Sequence, residues 1–81
     1  MADEKISDHI EALVKEEHEL LDRGGSERGL EAPDHARLEA IRIELDRYWD
    51  LLRQRRARRA AGRDPEGASP RDADTVEHYL Q

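Results

Sequence analysis

Apolar residues recur along this chain at helical spacing, with polar residues filling the gaps. In "DEKISDHIEALVKEEHELLDRGG" the residues Ile6, Ile10, Leu13, Val14, Leu20 and Leu21 fall at three- and four-residue steps, as an amphipathic helix requires. At about 100° per residue they share one face about 120° wide. The pattern predicts a helix over about residues 3–23, with Asp3 as N-cap and Gly24-Gly25 as the stop. "GGSERGLEAP" then reads as a polar turn from which Leu30 can tuck back. Pro33 suits the first position of a second helix, where its missing N–H costs nothing.

That second helix is predicted over about residues 33–61. Leu38, Ile41, Leu45, Tyr48 and Leu52 alternate steps of three and four, a coiled-coil-like seam, with Trp49 alongside. Ile43 and Leu51 fall off the seam and predict a second contact surface. Gly62, Pro65, Gly67 and Pro70 make a linker. "DTVEHYLQ" reads as a short terminal helix, with Asp74 and Glu77 at capping-box spacing and an apolar patch of Val76, Tyr79 and Leu80. No strand-like alternation occurs.

The predicted fold is therefore all-α: an antiparallel helical hairpin over residues 1–62, then a linker and short helix over 63–81. In such a hairpin, residues whose numbers sum to about 56 stand opposite each other. Helix 1 ends near the level of Arg53, so the following arginine-rich turns overhang. A hairpin leaves one side of each apolar stripe open, and two hairpins close them as a four-helix bundle. The candidate dimer interface is Leu38, Ile41, Leu45, Tyr48, Trp49 and Leu52.

Composition strengthens the expectation of self-association. The chain has 81 residues, is 36% hydrophobic and 42% charged, and contains no Phe and no Cys. A chain this short buries roughly 60% of its unfolded surface and is marginal alone. Without disulfides or thiolate-bound metal, it needs regular helix packing or a partner. No run approaches the ~18 apolar residues of a membrane span. The acidic, polar start does not look like a secretory signal, and a cytoplasmic location is expected.

Charge is unevenly placed on a chain of net charge −6. Residues 53–63 carry six arginines and no acid, while 64–81 carry one arginine and five acids. Arg53, Arg55, Arg56, Arg58 and Arg59 form a candidate basic patch that spreads around the whole helix. Guanidinium forks suit phosphates and carboxylates. Nucleic acid is disfavoured, because the net charge repels a polyanion and little exposed aromatic surface is available for base stacking. The expected partners are the chain's own acids, Asp64, Glu66, Asp72, Asp74, Glu77 or the start of helix 1. An acidic protein partner is the alternative.

Glu17 interrupts the apolar face of helix 1. It predicts a buried, register-setting ion pair with Arg37 or Arg42, since a buried carboxylate must be paired or protonated. A di-iron carboxylate site would need Glu-x-x-His, and Lys15 stands three before His18. His18 and His35 project to one side near Asp22 and Glu39, which suits either a metal or plain surface histidines. There is no H-E-x-x-H, no glycine-lysine phosphate loop and no arguable Ser-His-Asp set. No enzyme activity and no cofactor are expected. The leading reading is a non-enzymatic homodimeric interaction module, with a nucleic-acid-associated protein and a carboxylate–histidine metal binder as alternatives.

The stretch "ELDRYWDLLRQRRARRAAGRDPEGA", with "VKEEHEL" before it and "VEHYLQ" at the end, resembles the short actinobacterial proteins classed as domain of unknown function 2630. The resemblance covers essentially the whole chain, and its "WDLLRQRRA" core is specific. Tyr48 is larger than the family's usual residue before the tryptophan, and the turn "RGGSERGLEAP" is longer and richer in glycine. The resemblance implies an actinobacterial origin, as does the use of 12 Arg against 2 Lys. It implies no activity and no catalytic residue.

Overall fold

A computed structural model describes residues 2–79, with side chains as far as Glu77. Its elements are α1 (Asp3–Gly24), a one-turn 3-10 segment (Glu27–Gly29), α2 (Ala32–Ala60), a second 3-10 turn (Pro65–Gly67) and α3 (Ala73–Tyr79). There is no strand among the described residues.

α1 begins differently from the expectation. Ala2 is the N-cap and makes no side-chain cap hydrogen bond, and Asp3 is the first helical residue. The Asp3 carboxylate turns away from its own helix and takes Arg55 and Arg59. It still lies at the positive end of the α1 dipole, where an acid is favoured. α1 stops as predicted, with Gly25 in the left-handed region at φ 72°, which favours a residue lacking Cβ. The turn then brings Gly24 and Gly29 together. A Cβ on Gly24 would lie 2.9 Å from the Gly29 carbonyl carbon, and one on Gly29 would collide with the Gly24 carbonyl oxygen.

α2 ends in a Schellman motif. Gly62 has φ 72°, the Gly62 N–H donates to Arg59 O at 3.0 Å, and the Arg63 N–H donates to Arg58 O at 2.7 Å. Both bonds satisfy carbonyls that the last turn leaves open. The capping box expected from Asp74 and Glu77 is not the one used. Asp72 caps α3 instead, accepting from the Thr75 N–H at 2.8 Å.

α1 and α2 pack along their length with opposed numbering. His9 stacks on Tyr48, Glu16 pairs with Arg37, and Arg23 with Asp34. Ile6, Leu38 and Ile41 are fully buried between the two helices, joined by Ile10, Leu13, Leu20, Leu45 and Leu52. Leu30 tucks onto this core and is half-buried.

The tail covers the opposite side of α2. The second 3-10 turn and α3 both contact α2. Leu51, off the main seam, is buried there with Ala68 against the same core, and Val76 on α3 is fully buried. The expected docking of Tyr79 and Leu80 lies outside the described side chains. α1, α2 and the tail thus lie side by side with α2 in the middle. The molecule measures 47 × 25 × 15 Å. Its thickness is little more than the 10–12 Å of a single helix, so this is one layer of helices with two broad faces.

Candidate functional site

Two features concentrate chemistry, and both lie on α2. The first is a three-way junction at Arg55. This arginine is 5% exposed, an unusual position for a guanidinium unless it is paired. Its Nε donates to Asp3, Nη1 to the Pro65 carbonyl at 3.3 Å, and Nη2 to Glu66 at 3.2 Å. Asp3 takes Arg59 as well, and Arg58 Nε donates to the Asp64 carbonyl at 2.7 Å. The arginine hydrogen bonds hold the Asp3 carboxyl below its usual range, and Arg55 helps to lower Glu66. Arg55 in turn is raised, first by its bond to Asp3. Arg53 and Arg56 remain exposed.

A second clamp was not anticipated from the sequence. Asp50 is 3% exposed, and Arg71 grips it with both arms of its fork, at 2.9 and 2.8 Å. Gln54 donates to Asp50 at 3.0 Å and to the Ser69 carbonyl at 2.9 Å, and Arg47 donates to the Arg71 carbonyl at 2.9 Å. Arg47, Asp50, Gln54 and Arg58 share the tail-facing side of α2 with Leu51. Their three- and four-residue steps were present in the sequence. A stripe of mixed charge reads as solvated surface until its partner is known.

The predicted Glu17 pair forms only in part. Glu17 accepts from Arg42 at 3.3 Å, but its side chain is half-buried rather than buried. Arg37 goes to the neighbouring Glu16 instead, with two bonds at 2.6 and 2.7 Å. At 100° per residue Glu16 points to the edge of α1 where Arg37 emerges, so the long fork meets it first. The bond lowers the Glu16 carboxyl and raises Arg37.

The second feature is the broad face carrying Trp49. Four of the six residues expected to form an interface, Leu38, Ile41, Leu45 and Leu52, are covered by α1 of the same chain. Tyr48 is half-buried, with its ring 5.2 Å from that of His9 and nearly parallel to it. Trp49 is the exception. It is 45% exposed, one residue past Tyr48 and on the other flank of α2. Val14 and Leu21 are half-buried, and helical geometry puts them on the same face as Trp49 and the Glu17–Arg42 pair.

The histidine expectation also changes. His35 groups with Glu27 and Glu39, their ligand atoms all within 4.8 Å of one another. His18 and Asp22 do not join them. Glu27 belongs to the 3-10 turn, whose path the sequence did not reveal. On the Tyr48 face a cleft of about 220 Å³ runs under the tail, lined by Tyr48, Leu51, Ala68 and Pro70 with Glu44, Arg47 and Arg55. It is smaller than the roughly 300–1,000 Å³ of typical ligand sites.

Glu77 faces Asp46, and the neighbouring acid together with burial raises its carboxyl above the usual range. A raised group stabilises the docked tail at pH below its free value and loses that contribution as pH rises through the docked value. Asp72 and Glu66 are lowered, so their contributions vanish as pH falls through their docked values. Protection of the Val76 amide from hydrogen exchange should therefore peak in mildly acidic solution and decline on both sides. Protection that rises steadily to pH 8 would contradict this pairing.

The class is thus a small, single-layer, all-helical protein whose conspicuous chemistry is a set of internal ion pairs. The family described as "Protein of unknown function (DUF2630)" matches residues 2–81, and the chain belongs to that family. Uncharacterised proteins of Mycobacterium bovis and Mycobacterium tuberculosis are each 50% identical to it over 74 residues. That span is 88% of this chain and 82% of each relative. No solved structure matches the chain. Among the described residues, no helix is long and apolar enough to cross a membrane.

Proposed function

We propose that this protein is a non-enzymatic, cytoplasmic homodimer that serves as a protein-interaction module, with the Trp49 face as its dimer contact. One observation carries the reading. The fold is a single helical layer 15 Å thick that leaves its largest apolar side chain, Trp49, 45% exposed. Helical domains normally bury a second layer against the first. A second copy supplies that layer, and two antiparallel helix pairs stacked on their Trp49 faces make a four-helix bundle. Val14 and Leu21 add half-buried apolar surface farther along the same face, and Arg53 and Arg56 supply a charged rim. Tryptophan and arginine are the residue types that dominate interface energetics.

Sedimentation equilibrium on the full chain tests this. A dimer is expected at micromolar concentration. Trp49→Ala should weaken it by about 30-fold or more, the equivalent of a hot-spot loss of about 2 kcal/mol, with helicity retained because Trp49 lies outside the core. A wild-type chain that is a folded monomer at about 100 μM would overturn the proposal, since that limit corresponds to only about −5 kcal/mol of association.

A further inference from the structure

The turn end of the molecule holds a group of side chains that the dimer reading does not use. His35 and Glu39 are one helical turn apart on α2, so they share a face. Glu27 reaches them from the 3-10 turn (Glu27–Gly29), and one potential ligand atom from each of the three lies within 4.8 Å of the others. We propose that Glu27, His35 and Glu39 form a binding site for a first-row divalent transition metal of the Zn2+ type, which clamps the turn onto α2.

Geometry and charge both favour such an ion. Zn–N and Zn–O bonds of about 2.0–2.2 Å place neighbouring ligands roughly 3.3 Å apart around a tetrahedral centre. His35 and Glu39 are exposed and Glu27 is half-buried, so side-chain rotation is the motion the proposal requires to reach that spacing. Arg42 Nη1 donates to Glu27 Oε1 at 2.9 Å, and no hydrogen bond falls on Glu27 Oε2 among the described residues. Arg42 also holds Glu17 at 3.3 Å, so it orients the Glu27 carboxylate as outer partners of metal ligands commonly do. Glu17, Glu27 and Glu39 bring three carboxylates to this end of the molecule, with Arg42 on the first two and Arg28 in the lining of the neighbouring concavity. The two ligand carboxylates, Glu27 and Glu39, carry the charge that a divalent cation neutralises. The positive end of the α2 dipole opposes a cation here, and Glu31 and Asp34 at the start of that helix offset it.

The ligand set also selects among metals. One imidazole with two carboxylates suits zinc and its neighbours, whereas calcium and magnesium prefer all-oxygen shells. The open concavity beside the site, lined by Ser26, Glu27, Arg28, Leu30 and His35, leaves room for water on the remaining coordination position.

Isothermal titration of the full-length chain with ZnCl2 decides the question. One ion per chain is expected, with far weaker binding of Mg2+ and Ca2+. His35→Ala and Glu39→Gln should each lower Zn2+ affinity by about tenfold or more, at least the loss seen for outer-shell partners of metal ligands. Both positions are exposed, so circular dichroism should show the fold intact. His18→Ala, outside the cluster, should bind as the wild type does, and the zinc-induced rise in melting temperature should disappear only in the cluster variants. Absence of binding at about 1 mM, equivalent to affinity weaker than about −4 kcal/mol, overturns the proposal. So does wild-type affinity in both cluster variants.

Discussion

Ile41→Ala should destabilise the fold by about 2–5 kcal/mol, the usual cost of truncating a buried aliphatic side chain to alanine. Ile41 is fully buried at the centre of the α1–α2 contact. α1 and α2 cannot close over the missing volume freely, because Leu38 and Leu45, one turn away on either side, are buried against the same helix. A small domain has only about 5–15 kcal/mol in total, so this one change removes a large fraction of it. The melting temperature should fall by at least about 8 °C at matched protein concentration. Ile43→Ala, at a half-buried position off the seam, is the comparison and should cost less. A drop of only one or two degrees for Ile41→Ala would mean that α1 and α2 do not pack as described.

The second large effect concerns the arginine end of α2. Deleting residues 64–81 takes away one arginine and five acids and moves the net charge from −6 to −2. It also removes the Glu66 and Pro65 contacts of Arg55 and the Asp64 contact of Arg58. The shortened chain should bind double-stranded DNA measurably at low salt, with affinity falling steeply as salt rises. The intact chain should bind it weakly at ~150 mM salt, where a basic cluster already paired with acids releases few counterions. Deletion also uncovers Leu51, at a cost of about 1.5–3 kcal/mol. Arg71→Ala in the full chain is the gentler test. It breaks the two-pronged grip on Asp50 and loosens the tail while leaving its acids attached, so DNA binding should rise only slightly. Tight, salt-sensitive binding by the untouched protein would make nucleic acid its partner.

Particular residues show what the sequence made legible. The α1 and α2 ranges were within reach because Ile6, Ile10, Leu38 and Leu45 sit at helical steps and Gly24-Gly25 and Gly62 mark the ends. The pairing of the arginines with the chain's own acids was also within reach, because the charges are segregated along the chain. Leu38, Ile41, Leu45 and Leu52 were expected to meet a second copy, and α1 of the same chain covers them instead: a seam read from spacing cannot say which helix fills it or how wide a face that helix covers, and α1 covers too little to reach Trp49. Asp50 and Arg71 were missed because neither has an apolar pattern to announce it. Their burial depends on the tail crossing α2, a long-range event. The Glu27, His35 and Glu39 group was only half visible, through the one-turn spacing of His35 and Glu39.

The Arg55 junction joins Asp3, 52 residues earlier in the chain, to Glu66, 11 residues later. Arg55 thus ties the first turn of α1 and the tail to the same point near the end of α2. Opening either contact leaves a guanidinium that is 5% exposed short of a partner, and an underpaired buried charge is costly. The first turn of α1 and the 3-10 turn at Pro65–Gly67 should therefore loosen together. Arg55→Ala should raise amide exchange in both segments at once, and a rise confined to one of them would show that they open independently.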